Sequence, residues 1–154
     1  MSRAEGRVLN LGCGFDIMLD AVNHDKVARE GVDCVWDLND LPWPWETESF
    51  DYVVAKSVLG YLDIDLLTAL NEIWRILTPG GVIQLTLAYW KAEANHDDPT
   101  FRRGYGLGVC DRLDPESKHG KRRTFYTPCG WKMLYRPVLN KAKTTLSCRL
   151  EARK

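Results

Sequence analysis

Residues 50–87 constrain the fold more than any other part of the chain. Phe50-Asp51-Tyr52-Val53-Val54-Ala55 reads as one strand and Val82-Ile83-Gln84-Leu85-Thr86-Leu87 as another, both rich in β-branched and aromatic residues. Between them Leu66, Leu67, Leu70, Ile73, Trp74 and Leu77 recur at spacings of three and four, which puts them in a single stripe along a helix. Asp63 or Asp65 can cap its start. Thr78-Pro79-Gly80-Gly81 stops it, because proline cannot continue a helix and glycine accepts the left-handed turn. Strand, helix, turn and strand make a βαβ unit, so the two strands run parallel and the architecture is α/β on a mostly parallel sheet.

Further strand candidates extend that sheet. Arg7-Val8-Leu9-Asn10-Leu11 is apolar and ends at Gly12-Cys13-Gly14; Ala21-Val22-Asn23 and Val32-Asp33-Cys34-Val35-Trp36 follow. The gap between the first two is shorter than the dozen or more residues that a parallel crossover usually needs. Either the first crossover has no proper helix, or 21–23 is not a strand. Residues 91–123, rich in Asp, Arg, Gly and Lys, read as a long functional or mobile loop. Trp131 to Tyr135 reads as helical, and Thr144 to Glu151 alternates like a final, antiparallel strand.

A chain of 154 residues suits one domain, spanning 1–154. It has no run of 18 apolar residues, and Met1 to Arg7 carries no apolar signal core, so a cytoplasmic protein with no membrane contact is expected. Cysteines 13, 34, 110, 129 and 148 are odd in number and form no CxxC pair, which predicts reduced thiols. The net charge of zero hides an asymmetry. Residues 1–90 hold 6 Lys and Arg against 14 Asp and Glu, and residues 91–154 hold 15 against 7. Either the two halves attract each other within one fold, or the second presents a basic face to an anionic substrate.

Val8-Leu9-Asn10-Leu11-Gly12-Cys13-Gly14 resembles motif I of class I, Rossmann-like S-adenosylmethionine-dependent methyltransferases of the small bacterial and phage-like type. Glycines after a buried strand allow positive φ and let a ligand lie on bare backbone. A dinucleotide loop carries a third glycine, whereas Phe15-Asp16-Ile17 follows here. Trp36-Asp37-Leu38-Asn39-Asp40-Leu41-Pro42-Trp43 is similar to the family's segment after strand three, and Glu46 to Val53 to its approach to strand four. Leu70 to Gly81 resembles its helix and Pro-Gly-Gly turn. The resemblance covers residues 7–90 as a cofactor-binding half, with 91–154 on the substrate side. It implies a Rossmann-like sheet flanked by helices, with a reduced first crossover.

It also implies site residues. Leu11, Gly12, Cys13 and Gly14 would pass under the methionine and ribose of S-adenosylmethionine. Asp25 would accept both ribose hydroxyls, which suits a carboxylate with two oxygens and no donor. Asp37 would accept from the adenine amino group, Leu38 would offer its N–H to a ring nitrogen, and Lys56 and Ser57 would lie near the sulfonium. Structural alternatives are that Asp25 caps 26–30, that Asp37 makes an Asx turn, and that Trp43 and Trp45 pack on the sheet. Where the family has Glu-His and Asp-Pro-Thr-His, this chain has Gly60-Tyr61 and Asp98-Pro99-Thr100-Phe101.

On the substrate side Tyr89, His96, Asp97 and Asp98 are candidates for the pocket mouth, with His96 and Tyr89 the catalytic candidates, since imidazole is the side chain suited to a general base near neutral pH. Arg102, Arg103, Lys121, Arg122 and Arg123 are candidates to hold an anionic acceptor or a nucleic-acid backbone. His96, Cys110, His119 and Cys129 match no zinc-site spacing, so no metal is expected. Three functions stay open: methyl transfer from S-adenosylmethionine, leaving S-adenosylhomocysteine, to a small-molecule or macromolecular acceptor; a cofactor-binding but inactive relative that serves as a partner or regulatory subunit; and a nucleic-acid-binding module, for which no motif speaks. A small sheet with an exposed edge also suits a homodimer.

Overall fold

In the structure, a computed structural model that describes residues 6–122 and 124–154, the apolar stripe forms helix α1 (Leu66–Ile76). The readings of Met1–Glu5 and Arg123 lie outside the described residues. Ala69, Leu70, Ile73 and Ile76 face the core, and Asp65 rather than Asp63 is the N-cap, its side chain accepting from the Thr68 N–H at 2.7 Å. The helix stops one residue before Leu77, which is already extended and begins strand β5 (Leu77–Ala88). Thr78-Pro79-Gly80-Gly81 is thus a bent start of the strand instead of a separate turn, with a register shift opposite Phe50 and Tyr52.

Among the described residues seven strands make one sheet. Besides β5 they are β1 (Val8–Leu11), β2 (Val22–Asp25), β3 (Cys34–Val35), β4 (Phe50–Lys56), β6 (Gly130–Leu139) and β7 (Thr145–Arg153), in the order β3-β2-β1-β4-β5-β7-β6. The strands from β3 to β5 are parallel, and β7 runs antiparallel between β5 and β6. The chain winds outward from β1 to β3 and returns beside β1 as β4. A crevice therefore opens at the carboxyl ends of β1 and β4, where ligands bind in open α/β sheets.

Residues 131–135 are a correction: they lie in β6, not in a helix. Trp131 is buried and Lys132 is exposed, as a half-buried strand demands, but two register shifts against β7 interrupt the period-two pattern. Pro137 is tolerated because β6 is an edge strand.

The first crossover, 12–21, contains no helix, and two buried asparagines do its work. Asn10 donates to the Asp16 carbonyl at 2.8 Å and to Asn23 Oδ1 at 2.9 Å. Asn23 Oδ1 also accepts from the Met18 N–H, and its amide nitrogen donates to the Met18 and Ala21 carbonyls. The amides satisfy backbone groups that a helix would have paired internally. The loop lies on the sheet face opposite α1, since Asn10 alternates with the core residues Leu9 and Leu11. Its Phe15 and Leu19 are 87% and 90% exposed.

The other face holds the core. Leu9, Leu11, Val53, Ala55, Ile83, Leu85, Cys148 and Leu150 pack there under α1 and the segments on either side of it. On one side Trp45 packs edge-on against both Trp43 and Phe50, so both tryptophans are packing groups. Glu72 on α1 accepts from the Trp43 N–H, and Arg75 donates to the Trp45 carbonyl, each at 2.8 Å. Arg75 also bonds Glu72 and holds its carboxyl below the usual carboxylate value. On the other side residues 91–129 carry three short 3-10 turns. Cys110 and Cys148 touch there with their sulfurs 2.9 Å apart, and all five cysteines are free thiols. Among the described residues two ion pairs join the acidic and basic halves of the chain, Arg102 to Asp63 and Lys154 to Glu48. Among the described residues no helix is long and apolar enough to cross a membrane.

The cap on α1 is testable. Asp65→Ala should cost about 1 kcal/mol, lowering Tm by roughly 2–4 °C for a chain of this size. The Thr68 N–H holds the Asp65 carboxyl below its ordinary value. The difference from wild type should therefore be full at neutral pH and disappear as pH falls through that lowered pKa. Thermal melts at the two pH extremes check this, and equal Tm at neutral pH contradicts it.

Candidate functional site

A cleft opens at the switch point. Gly12 forms its floor at the end of β1, and His24, Asp25 and Lys26 line it from the end of β2. Trp36, Asp37, Leu38 and Asn39 come from the segment after β3, and Ser57, Val58, Tyr61 and Leu62 from the turn after β4.

Two adjacent residues of β2 hold the turn after β1. The Gly12 N–H donates to His24 Nδ1 at 3.1 Å, and the Gly14 N–H to Asp25 Oδ2 at 2.9 Å. Gly12 has φ +63°, and a Cβ built on it would meet Val58 Cγ2 at 2.4 Å. Both the backbone conformation and the closeness of the β4 turn therefore require glycine. Ser57, at φ +54°, makes the bend that brings Val58 over Gly12. A non-glycine residue there is strained backbone on the lining of the cleft.

Asp25 is poised as an anion. Burial raises its pKa, but the N–H groups of Val27 and Gly14 and the guanidinium of Arg29, 3.4 Å away, outweigh burial and hold it below the usual carboxylate value. It thus both caps its own turn through Val27 and presents a carboxylate to the cleft. Asp37 likewise makes an Asx turn, its Oδ1 accepting from the Asn39 N–H at 2.9 Å, while lining the cleft. Asn39 Oδ1 accepts from the N–H of Asp63 at 2.7 Å and of Ile64 at 3.3 Å, which ties one wall to the other.

Of the expected cofactor residues, Gly12, Asp25, Asp37, Leu38 and Ser57 meet in the cleft. Leu11 is fully buried beneath it. Cys13 is buried too, with its thiol pushed up by burial. Gly14 reaches the site only through its bond to Asp25. Lys56 is not in the cleft lining: its Nζ is 3.7 Å from Asp16 Oδ2, beside a second depression that Asn10, Met18 and Val54 line together with Gly12 and Cys13 of the glycine turn. Side chains alternate across a strand, so neighbours such as Lys56 and Ser57 separate where β4 ends. The other lining residues, His24, Lys26, Trp36, Asn39, Val58, Tyr61 and Leu62, were not among the expected cofactor residues. His24 stood next to Asp25, while Asn39 acts on residues 24 and 25 positions away, beyond any local signal.

The two departures from the family pattern touch each other. Tyr61 and Phe101 pack edge to face at 5.8 Å, and exposed His96 packs on Phe101 at 5.3 Å. The Gly60 carbonyl accepts from the N–H groups of Arg102 and Arg103, and a Cβ on Gly60 would meet the Arg103 carbonyl at 2.9 Å. Arg102 is engaged with Asp63 at 3.0 Å. Tyr89 is half-buried and bridges to Tyr105, away from the cleft lining. Lys121 and Arg122 sit on the 3-10 turn Gly120–Arg122. Among the described residues no three His, Cys, Asp or Glu side chains gather as a metal site.

A mostly parallel sheet in this strand order, with a carboxylate at the end of its second strand and a glycine turn after its first, defines an α/β protein with a cleft at its switch point. Residues 9–85 match the family described as methyltransferase domain, and the chain belongs to that family. A chain of the complex between the Haloferax volcanii Trm112 methyltransferase activator and a proposed methyltransferase aligns with a TM-score of 0.63 at 15% identity, over 97% of this chain and 84% of that one. An S-adenosylmethionine-dependent methyltransferase from Archaeoglobus fulgidus aligns at 0.61 and 12%, over 96% and 86%. The N-methyltransferase NodS from Bradyrhizobium japonicum, solved with S-adenosylhomocysteine, aligns at 0.59 and 16%, over 96% and 78%. No curated protein matches the chain. Family and fold together indicate S-adenosylmethionine as the cofactor.

The Gly12 cradle gives a direct test. Gly12→Ala and Gly14→Ala both place a side chain at positive φ, which costs about 1–2 kcal/mol. Only at Gly12 does Val58 stand in the way; at Gly14 nothing lies within 4 Å. Gly12→Ala should therefore lower Tm clearly more than Gly14→Ala. Equal losses would show that Val58 does not rest on Gly12.

Proposed function

We propose that the chain is an S-adenosylmethionine-dependent methyltransferase whose cofactor lies in the cleft between the ends of β1, β2, β3 and β4. The observation that carries this is the convergence of Gly12, Asp25, Asp37 and Leu38 on one cavity at the switch point. Asp25 accepts the ribose hydroxyls, and charge-assisted bonds of this kind contribute about 1.5–3 kcal/mol each. Asp37 accepts from the adenine amino group beside the Leu38 N–H. Gly12 presents bare backbone to the methionine portion, and Ser57 closes the sulfonium end.

When bound, the cofactor supplies a methyl carbon already activated for in-line displacement. The residues' part is then mainly orientation, which contributes on the order of 7–11 kcal/mol in ideal cases. His96, joined to the cleft rim through Phe101 and Tyr61, is the candidate to take a proton from an O or N acceptor. Arg103 and Arg122 are candidates for an anionic acceptor; Arg102, paired with Asp63, is the weaker one. The acceptor is a small molecule or a macromolecule.

A second role has its own support. Tyr61 and Phe101 replace the family's imidazoles with a packed aromatic pair, and one structural neighbour was solved with a methyltransferase activator. Both suit a cofactor-binding chain that works inside a complex.

Asp25→Ala should weaken S-adenosylhomocysteine binding about 10–100-fold, and Asp37→Ala should weaken it less, since one contact is lost instead of two. Calorimetry on variants that keep the wild-type Tm decides. Unchanged affinity removes Asp25 from the site, and a larger loss at Asp37 reverses the roles.

A further inference from the structure

His24 is the one imidazole in the interior, 1% exposed at the end of β2, and no step of methyl transfer uses it. Its ring joins the floor of the cleft to one of its walls. Nδ1 accepts from the Gly12 N–H at 3.1 Å, so the ring proton sits on Nε2 and donates to the Trp36 carbonyl at 3.0 Å. Trp45 packs edge-on against the ring at 5.2 Å. One neutral side chain thereby fixes both the glycine turn after β1 and the start of the segment that carries Asp37 and Leu38.

We infer that neutral His24 is a positioning residue of the cofactor cleft, and that protonating it disrupts the site. A proton on Nδ1 sets two donors face to face, N–H of Gly12 against N–H of the ring, and leaves a half-buried backbone donor without its acceptor. The turn under the ligand must then move. The inference rests on the cofactor reading of this cleft.

The surroundings give the direction. On β2 itself Asp25 lies beside His24 and is neutralised in part by Arg29 at 3.4 Å. From β1 come Gly12 and the buried Cys13 thiol, from β3 the register partner Cys34, and from the segment after β3 the Trp36 carbonyl, the Trp45 ring and, on the cleft rim, Asp37. Lys26 lines the same cleft. Burial lowers the His24 pKa, and the Trp36 carbonyl and Asp25 oppose it only in part. Binding should therefore be complete above a midpoint that lies below the ordinary histidine value, and be lost as pH falls through it.

The test is calorimetry of S-adenosylhomocysteine with the full chain from about pH 8 to about pH 5, for wild type and His24→Asn. Asparagine keeps an acceptor near the Nδ1 position and cannot take up a proton. Wild-type affinity should fall about tenfold per pH unit below the midpoint, as one-proton linkage requires. The His24→Asn profile should be flat, which also separates His24 from the other histidines, His96 and His119. In the free protein the Gly12 amide resonance should shift with the same midpoint as the His24 ring. A flat wild-type profile with binding intact overturns the inference alone. So does an unchanged slope in His24→Asn, or a loss that coincides with global unfolding. No binding at any pH overturns the cofactor reading itself.

Discussion

Two hydrogen bonds from neighbouring residues of β2 hold the turn after β1: Gly12 N–H to His24 Nδ1 and Gly14 N–H to Asp25 Oδ2. The rest of the site follows from them. A parallel sheet needs a crossover between its strands, and in α/β proteins a helix usually supplies it and satisfies its own backbone. Here the crossover 12–21 is irregular, and Asn10 and Asn23 supply the missing partners from within the sheet. A buried polar network of this kind is stable only when its members are satisfied. Asn10, Asn23 and His24 each have partners, so a short loop stands where a longer element would otherwise be needed.

The same economy shapes the walls of the cleft. The segment after β3 is held from below by α1, through Glu72 and Arg75, and from the side by Asn39, whose carbonyl oxygen takes the N–H groups of Asp63 and Ile64. The turn after β4 is held by Val58 over Gly12 and by Gly60, on which residues 101–103 rest. Residues 101–103 are thus packed against the turn that lines the cleft, and the Tyr61–Phe101 contact joins them where the chain differs from its family.

The fold was legible where period and punctuation agree. The βαβ unit followed from the stripe Leu66 to Leu77 between two apolar strands, and the reduced first crossover from its length. β6 was not legible, because its two register shifts and its Pro137 break the alternation that marks a strand. As lining of the cleft, Gly12, Asp25, Asp37 and Leu38 were legible through local motifs. Lys56 was misleading, since the end of β4 turns it out of the cleft lining, toward Asp16. His24 and Asn39 act through contacts made only in three dimensions. Asp25 and Asp37 each combine the turn-making and cleft-lining roles that looked like alternatives in the sequence.

The central claim is that this cleft holds an adenosine-bearing methyl donor. Titration calorimetry of the wild-type chain with S-adenosylmethionine and S-adenosylhomocysteine tests it most directly. Binding of both in the micromolar range, about −8 kcal/mol, is the predicted result. No heat from either ligand, with the chain folded by its thermal melt, would contradict the account and leave the glycine turn as scaffold alone.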